Sequence, residues 1–210
     1  MRIGSILKCI AIRHTNQNTM KHWNFKFFLV AMLAFLSQKA FTQINYRQVG
    51  AIQVSIAGTS TLHDWTMTSN EATCHAVFEA GADGVPIKFQ SVSFTMAAES
   101  LKSGKGAMDH NAYSALKTDK HKNISFQLSS AQISQKVVQA KGNLTIAGVT
   151  KPIDLNVTYD SKSGNPAFRV NKKIKMSEFG VEPPSFMFGS VKTGDEITIS
   201  IDVTLTPSKI

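Results

Sequence analysis

The residues able to do chemistry in this 210-residue chain are few and dispersed. Beyond residue 42 the histidines are His63, His75, His110 and His121, and Cys74 is the one cysteine. His63-Asp64 and Asp109-His110 pair an acid with an imidazole, but sequence neighbours on a strand or helix point apart, so neither makes a dyad. His110 and Ser114 would share a helical face, a geometry that in principle serves nucleophilic catalysis. No orienting acid and no oxyanion donor can be placed beside them. Metal-ligand spacing is missing too, because the His and Asp residues never fall at the short intervals of a zinc site. Asp109 reads instead as a helix cap, and His63 and Asp64 as partners for backbone groups at a strand end. Lys117, Lys120 and Lys122 form a basic cluster, which is a solvated face or a contact for an anionic head group at a membrane surface. Cys74 reads as a small buried hydrophobe.

The elements that must hold these residues alternate with a period of two. Ile52, Val54 and Ile56 share a face before Gly58-Thr59-Ser60-Thr61 breaks the strand. A Thr-rich, β-branched stretch over 65–80 ends in the turn Gly81-Ala82-Asp83-Gly84. In the return strand Ile87 and Phe89 share a face, then Val92, Phe94 and Met96 align with the opposite parity, which implies a bulge near Gln90-Ser91. Met108, Ala112, Ala115 and Leu116 recur at helical spacing, predicting a short helix over about 109–117 capped by Asp109. Strands resume with Ile124, Phe126 and Leu128, then with Leu144 and Ile146. The turn Gly148-Val149-Thr150-Lys151-Pro152 leads into Ile153, Leu155 and Val157. Phe168, Val170, Ile174 and Met176 share one parity, and Ile197, Ile199, Ile201, Val203 and Leu205 another. Between those runs, Phe179, Phe186, Met187 and Phe188 surround the stiff Glu182-Pro183-Pro184. Roughly eight strands at hairpin spacing with one short helix predict an all-β chain whose antiparallel sheet closes on itself. Parallel βαβ architecture needs repeated helices and is excluded.

The formal charge of +9 is misleading as a guide to partners. Residues 1–42 hold six basic groups and no acid, so the remainder carries 17 basic against 14 acidic groups, and nucleic-acid binding is excluded for want of a basic stripe. Residues 1–42 read as a signal peptide: Lys21 and Lys26 precede an unbroken apolar run over 27–36, and small residues follow near Thr42. The run is shorter than the ~20 residues that cross a bilayer. Met20 is the expected true start, cleavage follows Thr42, and the mature chain from about residue 43 is a single domain to residue 210, exported to the periplasm. Cys9 leaves with the leader, so Cys74 has no intrachain partner.

An ordered series of motifs makes this chain resemble the YceI-like family, the lipid- or polyisoprenoid-binding proteins of the bacterial periplasm. The series runs from Gly58-Thr59-Ser60-Thr61-Leu62-His63-Asp64-Trp65 through Met108-Asp109, Leu116 and Ile124-Ser125-Phe126. Leu144-Thr145-Ile146 with Gly148-Val149-Thr150-Lys151-Pro152, then Phe188-Gly189 and Gly194-Asp195-Glu196, complete it. Asn123 stands where many relatives carry Pro. The resemblance implies an eight-stranded antiparallel, lipocalin-like barrel with a short helix near one mouth and a long apolar tunnel for an isoprenoid or other long-chain lipid.

The expected ligand-binding side chains are Trp65, Phe94, Met96, Leu116, Phe126, Leu144, Ile146, Phe179, Phe186 and Phe188. Phe94, Met96, Phe126, Leu144 and Ile146 face inward by alternation, whether they touch a lipid or one another. The expected function is an exported carrier that sequesters a lipid tail, with no cofactor, no catalytic residues and no metal ligands. An exported enzyme or metal-binding protein using His, Asp and Ser near the barrel mouth is the alternative. Transient membrane-surface contact and a two-fold homodimer are the remaining partner expectations.

Overall fold

The computed structural model describes residues 44–81, 84–162 and 165–208. The expectations of a leader over 1–42, a start at Met20 and cleavage after Thr42 fall outside these. Within the described residues ten strands and one α-helix follow in order: β1 (Ile44–Gln48), β2 (Ile52–Ser60), β3 (Trp65–Ala80), β4 (Pro86–Ala97), α1 (Gly106–Leu116), β5 (Asn123–Ser134), β6 (Val137–Ile146), β7 (Val149–Lys162), β8 (Asn165–Lys175), β9 (Ser185–Phe186) and β10 (Val191–Pro207).

Each strand from β2 to β8 pairs with the next, and β10 pairs with both β8 and β2, so eight antiparallel staves close a barrel. Closure leaves no continuous free edge for another chain to extend. The two strands beyond the expected eight lie at the rims. β1 carries on where β2 begins, pairing with β3 and with the end of β10, while the two-residue β9 pairs with the start of β10.

The end of the barrel at β1 is filled by aromatic rings. Tyr46 stacks on Phe78 with centroids 3.8 Å apart, Phe78 leans on Phe89 at 5.0 Å, and Phe168 meets Phe89 and Tyr159 edge-on or tilted at 5.9 Å each. Such pairs contribute about 0.5–1.5 kcal/mol each beyond the area they bury. Phe78 is wholly buried, and the Tyr159 hydroxyl donates to the Gln135 carbonyl at 2.9 Å. This is the floor. The opposite end, where α1 lies, is the mouth.

Local geometry refines the strand boundaries. Val77 faces Ser91 and Phe78 faces Phe89, so Gln90 is the extra residue of the expected bulge. A second slip follows, with Glu79 facing Lys88 and Ala80 facing Pro86, which makes Ile87 extra. Ile87 is therefore turned out to solvent instead of sharing the Phe89 face, a correction to simple alternation. β2 also runs through Gly58 to Ser60, so the expected break falls one turn later.

The β6–β7 connection is tighter than its composition suggested. The turn is Ala147-Gly148 alone, both left-handed (φ 49° and 79°), as a two-residue hairpin loop requires. Val149 to Pro152 already belong to β7. Counting pairs from the closing pair Ile146–Val149 puts Pro152 opposite Asn143 at a non-hydrogen-bonded position, so its missing N–H faces away from β6. The helix likewise begins three residues before its expected start. Lys105 is the N-cap residue without a side-chain bond, and Asp109 sits in the first turn. Its carboxylate accepts the Ser103 N–H and hydroxyl at 2.7 and 2.6 Å, tying the helix to the loop before it instead of capping its amides.

Two inward glycines make room for rings. A Cβ on Gly58 would lie 2.4 Å from the Trp65 indole, and one on Gly142 would lie 2.3 Å from the Phe126 ring and 2.4 Å from the Gln127 carbonyl. Gly142→Ala is expected to cost about 1–3 kcal/mol, lowering Tm by roughly 3–10 °C in a domain of this size. A calorimetric transition at the wild-type temperature would mean that the Phe126 ring gives way freely.

Candidate functional site: an apolar cavity

Above the aromatic floor the barrel is hollow, with a cavity of about 510 Å3. The hollow follows from side-chain size. On β3 the inward positions include Cys74 and Ala76, and on β6 they include Ala140. Residues this small on two separated staves stop short of the barrel axis, where Leu or Phe would have met and filled it. Every stave contributes apolar side chains to the wall, such as Val54, Met67, Met96, Leu128, Leu155, Val170 and Ile201. Phe89 and Phe168 form the bottom.

Nine of the ten side chains singled out in the sequence line this space. Phe94, Met96, Phe126, Leu144 and Ile146 stand on the strands, Trp65 is at the mouth end of β3, Leu116 is on α1, and Phe179 and Phe186 come from the segment between β8 and β10. Trp65 is fixed by its indole N–H, which donates to the Thr59 carbonyl at 3.0 Å while the ring lies over Gly58. Phe179 is 1% exposed, so it is wall and packing at once. Phe188 is the exception. Its left-handed backbone (φ 55°, ψ 33°) carries the ring away from the barrel, and it is fully exposed.

The mouth is framed by the inner face of α1, by the β2–β3 loop and by the segment between β8 and β10. The 3-10 turn Met176–Phe179 is pinned by Asp195, whose carboxylate accepts the Ser177 N–H at 2.8 Å and its hydroxyl at 2.6 Å. Those two bonds hold the Asp195 carboxyl below the usual carboxylate range, and Ser103 does the same for Asp109. Lys117, which ends α1 in a left-handed conformation, reaches the Gly180 carbonyl at 3.5 Å. Around the rim the lining turns polar, with Ser60, His63, Lys105, Asn111 and Thr193. One further polar residue, Lys172, lies on the inner face of β8. Sequence reading passed over it, although the series Phe168, Val170, Ile174 and Met176 skips that one inward position.

The catalytic alternatives look different in three dimensions. Ser114 does share the helix with His110, but its hydroxyl donates to the His110 backbone carbonyl at 2.9 Å, a bond within its own helix. His63 Nδ1 lies 2.7 Å from the Asp64 carbonyl, leaving the Asp64 carboxylate uninvolved. Among the described residues no three His, Cys, Asp or Glu side chains converge on a point where a metal would sit. Cys74 is buried in the cavity wall, and burial pushes its thiol up to about 11. At about pH 8 the thiolate is then on the order of one part in a thousand. Iodoacetamide is expected to leave Cys74 unmodified in the folded protein at that pH and to alkylate it on unfolding. Rapid labelling of the native state, read by intact mass, would show that the wall opens to water.

Comparison with known proteins agrees with this architecture. A family model for the YceI-like domain matches residues 53–205. A UPF0312 protein of Serratia proteamaculans is 27% identical over 119 residues, covering 53% of this chain and 60% of the relative, so the chain spans less than two thirds of that protein's length. The crystal structure of BcnA from Burkholderia cenocepacia superposes with a TM-score of 0.62 at 17% identity, covering 74% of this chain and 96% of that one. A polyisoprenoid binding domain from Saccharophagus degradans, implicated in plant cell wall breakdown, gives 0.60 at 10% identity, covering 79% and 99%. The YceI protein of Campylobacter jejuni gives 0.55 at 22% identity, covering 68% and 84%.

Proposed function

This chain belongs to the YceI-like family, and on that footing we propose that it is a carrier that holds the tail of an isoprenoid or other long-chain lipid inside its barrel and performs no covalent chemistry on it. The observation that carries the proposal is the hollow itself, an apolar space of about 510 Å3 with a closed floor and a framed mouth. Each methylene moved from water into such a wall contributes about 0.8 kcal/mol, and ordering the tail and the complex takes back much of the sum. A tail of ten or more carbons therefore binds without any charged contact. The neighbour in Saccharophagus degradans, a polyisoprenoid binding domain of the same fold, supports the class of ligand. The leader-like residues 1–42 support export to the periplasm, where such a carrier would move lipid between membranes.

In protein that starts at Gln43, Trp65 is the single tryptophan and stands in the cavity wall, so its fluorescence reports occupancy. Long-chain alcohols are expected to shift that emission and saturate it at one per chain, and native mass spectrometry of freshly purified protein is expected to show a lipid adduct. Ala140→Phe, which fills the space from β6, should weaken alcohol binding at least about tenfold. An empty protein whose Trp65 emission ignores long-chain alcohols would end the carrier reading.

The rim is suited to meeting a membrane. Leu62 and Phe188 are exposed large apolar side chains on two segments joined by Thr61, whose N–H donates to the Lys192 carbonyl and whose hydroxyl donates to Ser190. Exposed apolar side chains brought together at a rim are the kind of surface that meets a membrane. Phe188→Ser, which lies outside the cavity lining, is expected to slow transfer of a fluorescent lipid to vesicles severalfold while leaving alcohol affinity unchanged. Equal transfer rates would remove the rim from the mechanism.

A further inference from the structure

The barrel wall is not hydrogen-bonded all the way round. β7 and β8 pair only from Val157–Val170 down to Lys162–Asn165, at the floor end. Toward the mouth, residues 149–156 of β7 pair with β6 alone and residues 171–175 of β8 with β10 alone. The result is a slit in the mouth half of the barrel, beside Pro152, whose nitrogen has no proton to offer across it. Outside the slit is a groove of about 410 Å3, and Ile153, Lys172 and Ile174 belong to the walls of both groove and cavity.

Lys172 occupies an inward position between Val170 and Ile174, opposite Ile199 of β10. It is half-buried, and no hydrogen bond or ion pair holds its ammonium among the described residues. The acids nearby are mostly engaged elsewhere: Glu196 binds Lys173 at 2.9 Å and Asp154 binds Lys141 at 3.8 Å, both on the outer face. Glu178 and Lys175 complete the charged lining of the groove. A cation with an apolar stem in the wall and a free head at the β7–β8 break, on the mouth side of the barrel, is placed to receive an anion that arrives attached to something greasy.

We propose that Lys172 anchors the acidic head group, a carboxylate or a phosphate, of a long-chain amphiphile whose tail fills the cavity, with the head seated at the slit between β7 and β8. The proposal rests on the carrier reading and narrows its ligand class. The competing role for an inward lysine beside unpaired strands is to discourage a second chain from pairing there. That role predicts self-association of the neutral variant and no ligand preference.

The test compares hexadecanoic acid, hexadecyl phosphate and hexadecanol, titrated against Trp65 fluorescence at fixed pH and ionic strength, in wild type, Lys172→Met, Lys172→Arg and Lys105→Met. Wild type is expected to prefer one or both acidic probes over the alcohol by at least about tenfold. Lys172→Met should erase that preference by weakening the acidic probes to the level of hexadecanol, which it still binds, Lys172→Arg should keep the preference, and Lys105→Met at the open rim should leave it intact. The probe with the larger Lys172-dependent gain identifies the head group. An acid-to-alcohol ratio unaltered in Lys172→Met, or a preference that follows Lys105, overturns the proposal while hexadecanol binding continues to support the carrier. Failure of all three probes removes the carrier reading and this one with it.

Discussion

A barrel whose strands satisfy one another around a ring is held together by its wall and not by its centre. That constraint governs the rest of this structure. Backbone donors and acceptors in β2 through β8 and β10 find partners on at least one side along the strands and on both sides over part of each, so the fold does not need a filled interior to meet the hydrogen-bond demands of burial. The interior can then be given over to something else. A helical bundle could not do this, because its helices associate only through the side chains between them.

What a conventional core would supply is concentrated at one end. Tyr46, Phe78, Phe89, Tyr159 and Phe168 come from five different strands and meet within about ring contact of one another. β1 exists to bring Tyr46 there. Small residues then take over the inner face of β3 and β6, and the empty volume begins where the rings stop. At the mouth the enclosure depends on polar ties instead: Asp109 to Ser103, Asp195 to Ser177 and Trp65 to Thr59. The protein therefore has an apolar, rigid end and a hydrogen-bonded, adjustable one.

Much of this could be read from the chain, because alternation and turn chemistry are local. The limits of β3 follow from its composition and the turn after it, and the bulge at Gln90 and the inward set on β10 follow from side-chain parity. What could not be read depended on tertiary detail. Ile87 looked inward because alternation carries no information about a second bulge, at Ile87 itself, three residues before the first. Phe188 looked like wall because composition does not reveal a left-handed backbone. The helix start was misplaced because the Asp109 carboxylate, a good cap by type, is engaged by Ser103. Parity could place Phe126 and Leu144 facing inward but could not say that Cys74, Ala76 and Ala140 leave a gap beyond them, since a void is a property of several strands together. Lys172 was visible as the odd member of an apolar series, yet only the missing β7–β8 ladder gives its position meaning.

The ring cluster at the floor has a kinetic corollary. A channel open at both ends lets a newcomer enter behind and push the occupant out, so turnover quickens as more of the incoming molecule is supplied. Here the way in from behind is stopped by Tyr46 and Phe78. Away from a membrane, the occupant must back out of the closed end before another can follow, so supplying more of the newcomer does not hasten its exit.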